Sequence, residues 1–242
     1  MINLSRSLEV RCVDVAATVA VEQDRPEFLA IVQLAKDLGG EISPQQVRHE
    51  LFRRFPEHVC HLALDRCVKL KMLVWIDGVA QLTELGDLAI ETGKVLVAEQ
   101  GVWRFHLTDD PLVPFPVVHA ERIKTEAVHK ELSKQKNGER DFRGHSSTPS
   151  LLRESINVTP QRSLADFKLR QIQEVGEKGQ EHEKGTVMLE FSWPEDGAPT
   201  VRLTGQLPES EQSLDAPIYP DLVFWTYDKL WMELAAEAAS LS

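Results

Sequence analysis

The stretch from Glu41 to Gly93, EISPQQVRHELFRRFPEHVCHLALDRCVKLKMLVWIDGVAQLTELGDLAIETG, constrains the fold of this chain more than any other. Ser43 and Gln46 stand at capping-box spacing. Pro44 between them suits a first helical position, where its missing N–H would be unpaired in any case. Val47, Leu51 and Phe55 then recur at i, i+4 and i+8 as one apolar stripe. Pro56 ends that helix, because the residue before a proline is pushed out of the helical region. A second helix is predicted from about Glu57 to Met72, with Val59, Leu62, Ala63, Cys67 and Leu70 near one face. His58, His61, Asp65 and Lys69 fall on or beside the other face, with Arg66 between turns. Leu73–Ile76 and Val79–Leu82 flank Asp77-Gly78, the dipeptide that gives a two-residue hairpin its positive φ angles. Leu82-Thr83-Glu84-Leu85-Gly86 opens a further helix, and Gly93 stops it.

The order helix, short turn, helix, hairpin, helix resembles the winged helix-turn-helix superfamily, over about a third of the chain from Glu27 to Val97. The hairpin running into Leu-Thr-Glu-Leu-Gly is similar to prokaryotic regulators whose wing feeds a following helix. In DNA-binding members the second helix enters the major groove and the wing touches the neighbouring backbone. Carried onto this sequence, the resemblance implies a groove face of His58, His61, Asp65, Arg66 and Lys69, with backbone contacts from Arg48, Arg53 and Arg54.

Charge tempers that expectation. The net charge is −11, and it divides as −5 over residues 1–110 (12 basic, 17 acidic), +2 over 111–184 (13 and 11) and −8 over 185–242 (2 and 10). Non-specific coating of nucleic acid calls for a basic excess, which the chain lacks. Residues 46–71 nonetheless hold six Arg or Lys against three acids. Hydrophobic content of 42% and charged content of 27% are those of a globular protein. The N-terminus has no signal-peptide run, no segment has the ~20 apolar residues of a membrane helix, and three cysteines without a CxxC point to a reducing cytoplasm.

Around the central stretch, Leu8, Val10, Cys12 and Asp14 alternate as a short strand, and Pro26 opens a helix carrying Phe28, Ile31, Val32, Leu34, Ala35 and Leu38. Residues 101–107 alternate as a strand, and prolines 111, 114 and 116 make an extended boundary. Residues 120–148 are polar, and Lys134, Lys136, Arg140 and Arg143 there offer a secondary phosphate contact weakened by Glu139 and Asp141. Two helices are predicted next, SLLRESIN and QRSLADFKLRQIQEVG, followed by a polar loop, EVGEKGQEHEKG. Residues 186–193 and 199–205 read as a hairpin, and Pro220 opens a C-terminal helix on which Trp225 and Trp231 are candidate partner contacts. The expected fold class is α+β, with a winged helix-turn-helix domain and flanking strands over 1–110, a polar linker and loop over 111–150, and a smaller α+β region over 151–242 that holds the hairpin and the C-terminal helix.

No set of residues identifies a reaction. Asp109-Asp110 reads as a turn rather than a metal pair, and His58, Cys60, His61 and Cys67 on one helix cannot surround zinc tetrahedrally. His145-Ser146 with Asp141 lacks elbow glycines, Asp166, Glu190 and Arg202 form a triple that almost any chain offers, and no phosphate-cradling glycine motif occurs. No metal or cofactor is expected, and an unrecognised enzyme site in the C-terminal half ranks behind two binding readings. One is double-stranded DNA recognition by a regulator through the second motif helix. The other is a non-catalytic adaptor, with protein partners or as a homodimer, in a prokaryotic assembly of the chromosome-maintenance or antiviral-defence kind. No membrane association is expected.

Overall fold

A computed structural model describes residues 2–110, 113, 116–123, 146–156, 160–163, 168–193 and 200–218. Its spine is β1, Ile2–Gln23, a strand of 22 residues. Leu8, Val10, Cys12, Val13, Val15, Ala17, Val19 and Ala20 are all buried along it. Leu8, Val10 and Cys12 are buried in alternation with more exposed neighbours, the phase shifts at Cys12-Val13 so that residues 12–15 are buried in succession, and Val15, Ala17 and Val19 alternate beyond them. After it come α1 (Pro26–Asp37), β2 (Glu41–Ile42), α2 (Pro44–Glu50), α3 (Glu57–Lys69), β3 (Leu73–Ile76), β4 (Val79–Leu82) and α4 (Glu84–Thr92). Then follow β5 (Val95–Leu107), β6 (Val117–Arg122), α5 (Ser150–Glu154), β7 (Gln161–Arg162), β8 (Leu169–Glu181), β9 (Gly185–Trp193), β10 (Thr200–Gln206) and β11 (Ser213–Ile218).

Eight strands form one sheet in the order β11-β10-β9-β1-β5-β6, with β8 also on β1 and β7 on β8. β9 runs antiparallel to the first half of β1, from Ile2↔Trp193 to Val10↔Gly185. β8 takes over beyond that point: the His182 N–H donates to Cys12 O at 2.9 Å. Glycines make the pairing possible, since a Cβ on Gly179 would lie 2.9 Å from Asp14 O and one on Gly176 3.2 Å from Ala16 O. Leu8, Val10, Val118, Val187, Leu189, Phe191, Leu203 and Leu214 belong to the sheet's main apolar cluster.

The chain divides into two units: residues 1–18, 100–168 and 172–242, and residues 19–99 with 169–171. In the second, α1, α2, α3 and α4 surround a small sheet of order β2-β4-β3. Its core is Ile31, Val32, Ala35, Ile42, Val47, Cys60, Leu64, Cys67, Met72, Leu73, Ala80, Ala89 and Val95. Ser43 caps α2 with a complete capping box, Ser43 Oγ accepting from the Gln46 N–H and the Gln46 side chain accepting from the Ser43 N–H. Asp77 (φ 49°) and Gly78 (φ 82°) turn the hairpin. Gly93 closes α4 in the left-handed region.

Several expectations are corrected. The chain is mostly β, and its N-terminal region is the long central strand of a large antiparallel sheet, so neither the winged helix-turn-helix assignment nor the α+β class led by such a domain stands. The helices of residues 26–92 are an insert between β1 and β5, and a local pattern cannot reveal which sheet flanks it. α2 ends at Glu50, so Leu51 and Phe55 lie beyond it, 38% and 52% exposed, and Phe52 packs on the core in their place. On α3 the buried positions are Cys60, Leu64 and Cys67, while Leu62, assigned above to the apolar face, is 60% exposed. The helix expected from residue 161 is replaced by β7 and β8, and β8 also takes in most of the stretch read as a polar loop. Trp225, Trp231 and the basic loop at 134–143 lie outside the described residues.

Candidate functional site

Two groups of residues stand out, one on each unit. The first is the outer surface of α2, α3 and their connection. His58, Leu62, Arg66 and Lys69 recur at helical spacing along α3, and all four are exposed. Arg48 on α2 and Arg53 and Arg54 in the connection are exposed too. Arg53 Nε donates to His49 O at 2.7 Å, and Gln45 Nε2 donates to Glu57 Oε1 at 2.6 Å, fixing the start of α2 to the start of α3. Among the described residues no ion pair is formed by Arg48, Arg54, Arg66 or Lys69.

His61 and Asp65 are engaged differently. Trp75 of β3 lays its ring 5.8 Å from that of His61, and its indole N–H donates to Asp65 Oδ1 at 2.9 Å. The hairpin is thereby locked against this side of α3, while Val74 and Ile76 on its opposite face are 42% and 43% exposed. The structure therefore groups His58, Arg66 and Lys69 along one stripe and sets His61 beside Trp75. The sequence reading missed Leu62 and Phe55 as surface residues. The signal was available in α3: positions 58, 62, 66 and 69 share one helical phase, and 60, 64 and 67 share another.

The second group is buried in the sheet and was not singled out from the sequence. Asp14 of β1 is 2% exposed and is held bidentately by Arg104 of β5, with Nε to Oδ1 at 2.8 Å and Nη2 to Oδ2 at 2.9 Å. That pairing raises the Arg104 pKa above its ordinary value. His182 Nε2 lies 2.9 Å from Asp14 Oδ2, off the line of a good hydrogen bond. His106, two residues along β5 from Arg104, faces His119 of β6 across the strand pair, with stacked rings 5.8 Å apart. His106 Nε2 donates to Pro208 O at 2.8 Å, and His119 Nδ1 meets Ser163 Oγ at 2.6 Å. Burial pushes the His106 pKa down to about 4 and the Cys12 thiol up to about 12. The Arg-Phe-His alternation at 104–106 was the available sign, since it places a cation and an imidazole on one face of a strand.

Chemically, the buried group is a charge pair closed on itself. Arg104 donates to both Asp14 carboxylate oxygens and to the Glu209 carbonyl, and Ser163 and His119 are 6% and 1% exposed. Among the described residues no group of three or more His, Cys, Asp or Glu is placed to hold a metal ion. None of their helices is long and apolar enough to cross a membrane. No protein family, curated protein or solved structure matches the chain.

Proposed function

We propose that this chain is a non-catalytic adaptor whose α2–α3 surface docks an acidic, partly apolar segment of a protein partner. One observation carries the reading: the six large hydrophobic side chains exposed among the described residues, Leu38, Leu51, Phe55, Leu62, Val74 and Ile76, all fall in the helical insert. Single exposed leucines are ordinary, whereas concentration in one small unit marks an interaction surface. Leu62 lies one helical turn from Arg66 on a stripe that ends in Lys69, and an exposed apolar anchor beside arginine is a composition found at protein interfaces. Arg48, Arg54, Arg66 and Lys69 supply the complement to a partner's carboxylates. The three cysteines are buried free thiols, which supports placing the protein in a reducing compartment such as the cytoplasm.

Double-stranded DNA is the second reading, favoured by those same unpaired cations. Against it, the hairpin tip carries Asp77 beside exposed Val74 and Ile76, a surface poorly suited to phosphate, and Asp65 of α3 is occupied by Trp75. The test is titration with a synthetic acidic amphipathic helix, using wild type and Leu62→Glu and Arg66→Ala variants. Docking at this face predicts that each substitution weakens binding at least about tenfold, or ~1.4 kcal/mol. A peptide that does not bind, or binds all three proteins equally, refutes the reading.

A further inference from the structure

The loop of residues 207–212 joins β10 to β11, where Gln206 pairs with Ser213. In the sheet order, β9 and β1 lie between β10 and β5. Even so, the loop is tied to β5, because Arg104 Nη1 donates to Glu209 O and His106 Nε2 donates to Pro208 O. It thus crosses two strands as a strap. Pro208 seats on Gly185, where a Cβ would lie 3.0 Å from three of its ring atoms. Glu209 holds a left-handed backbone (φ 57°), and Leu207 is 1% exposed. Every component is specific, and the two ties from β5 are side chains rather than backbone ladders.

We propose that the 207–212 loop is an acid-released strap, which protonation of His106 unfastens from the sheet. Burial holds His106 neutral, and with Nε2 donating to Pro208 O a further proton would be added at Nδ1, a buried nitrogen with no hydrogen-bond partner among the described residues. The groups around it are Arg104 on its own strand, Asp14 and Cys12 of β1, His119 and Glu121 of β6, His182 after β8, and Glu209 on the strap. The hydrogen bond to Pro208 O and the Asp14 carboxylate favour a new positive charge, while Arg104 and His182 oppose it and Asp14 is already committed to Arg104. Burial dominates, so the imidazolium is accommodated only by opening to water. In the opened loop His106 regains its ordinary affinity for a proton. The opening equilibrium therefore rises as pH falls from about 6.5 toward about 4.

Hydrogen exchange of the intact protein tests this directly, read as protection factors so that the intrinsic pH dependence of exchange cancels. Between about pH 7.5 and about pH 5, the Leu207 and Ser210 amides should lose protection on the order of thirtyfold. Those pairing β1 with β9 should hold. In His106→Gln, which keeps an N–H for Pro208 O and does not titrate, the loss should vanish. Should that variant fail to fold, the imidazole nitrogen resonances of wild type give the second readout, since His106 must leave its Nε2–H form over the range in which the strap opens. The proposal is overturned by strap protection that does not change with pH, by loss shared equally with β1–β9, by an unchanged loss in His106→Gln, or by a strap that opens while His106 stays neutral.

Discussion

Replacing Gly86 with alanine should destabilise the helical unit, although helix propensity alone says the opposite. Gly86 sits in the first turn of α4, where alanine is ordinarily better than glycine by about 1 kcal/mol. Its φ is not in the left-handed region, so the backbone itself would accept a side chain. Space decides the sign. A Cβ there would lie 2.6 Å from Leu82 Cδ1 and 3.3 Å from the Met72 carbonyl carbon, with the Met72 carbonyl oxygen nearer still. The leucine can rotate, but the carbonyl is fixed on both sides: Met72 O accepts the Thr83 N–H at 3.1 Å, and the Met72 N–H donates to Cys67 O at 3.0 Å. Relief requires α4 to move off Met72 and the end of α3, and overpacking of this kind costs about 1–3 kcal/mol and at times more. The net expectation for Gly86→Ala is a loss of about 2 kcal/mol. Urea titration read by exchange of the α3 amides isolates this unit, and the midpoint should fall by roughly 1 M. An unchanged or higher midpoint would refute the reasoning, because it would mean that α4 is not seated on the Met72 backbone.

Other perturbations have equally definite outcomes. Asp14→Ala leaves the Arg104 guanidinium facing a buried gap and should cost about 3–5 kcal/mol of sheet stability in a denaturant titration, far more than removal of a surface carboxylate. Ser43→Ala removes the side-chain half of the α2 capping box and should cost about 1 kcal/mol, again read by urea. Burial raises the Cys12 and Cys67 thiols to about 12 and the Cys60 thiol in the same direction. All three should therefore resist a thiol reagent at neutral pH in the native state and react once denatured, whereas fast native labelling would contradict their placement.

Much of the local structure of the insert was legible because its signals are short-range. The capping box at Ser43 and Gln46, the Asp77-Gly78 turn and the Gly93 stop each depend on a few neighbouring residues, and the structure contains all three. The hairpin of β9 and β10 was legible for the same reason. The large sheet was not. The alternation along β1 changes phase at Cys12-Val13, which hid the continuity of its 22 residues, and its partner β9 comes from far away in the chain, with pairs from Ile2↔Trp193 to Val10↔Gly185. The first part of β8 read as the end of a helix, and its later part looked like a solvated loop because its glycines serve close approach to the β1 backbone and its charged residues are no obstacle to backbone pairing. The candidate surface was half legible. Its cations were named from the sequence, but a phase error on α3 hid Leu62, and the continuation of a helical pattern past Glu50 hid Phe55. The cluster of Asp14, Arg104, His106, His119 and His182 needs four distant segments to be brought together, so no spacing in the sequence marks it.

Titration of labelled double-stranded DNA across a salt series, with wild type beside Leu62→Glu and a variant in which Arg53, Arg54, Arg66 and Lys69 are all alanine, most directly tests whether the α2–α3 face serves protein or nucleic acid. Docking of an acidic protein segment predicts weak DNA association at low salt and none near physiological salt, while binding of the acidic helix persists there and depends on Leu62. Tight DNA binding that falls steeply with salt, is lost in the four-alanine variant and is indifferent to Leu62 would contradict it and make phosphate the true ligand of this face.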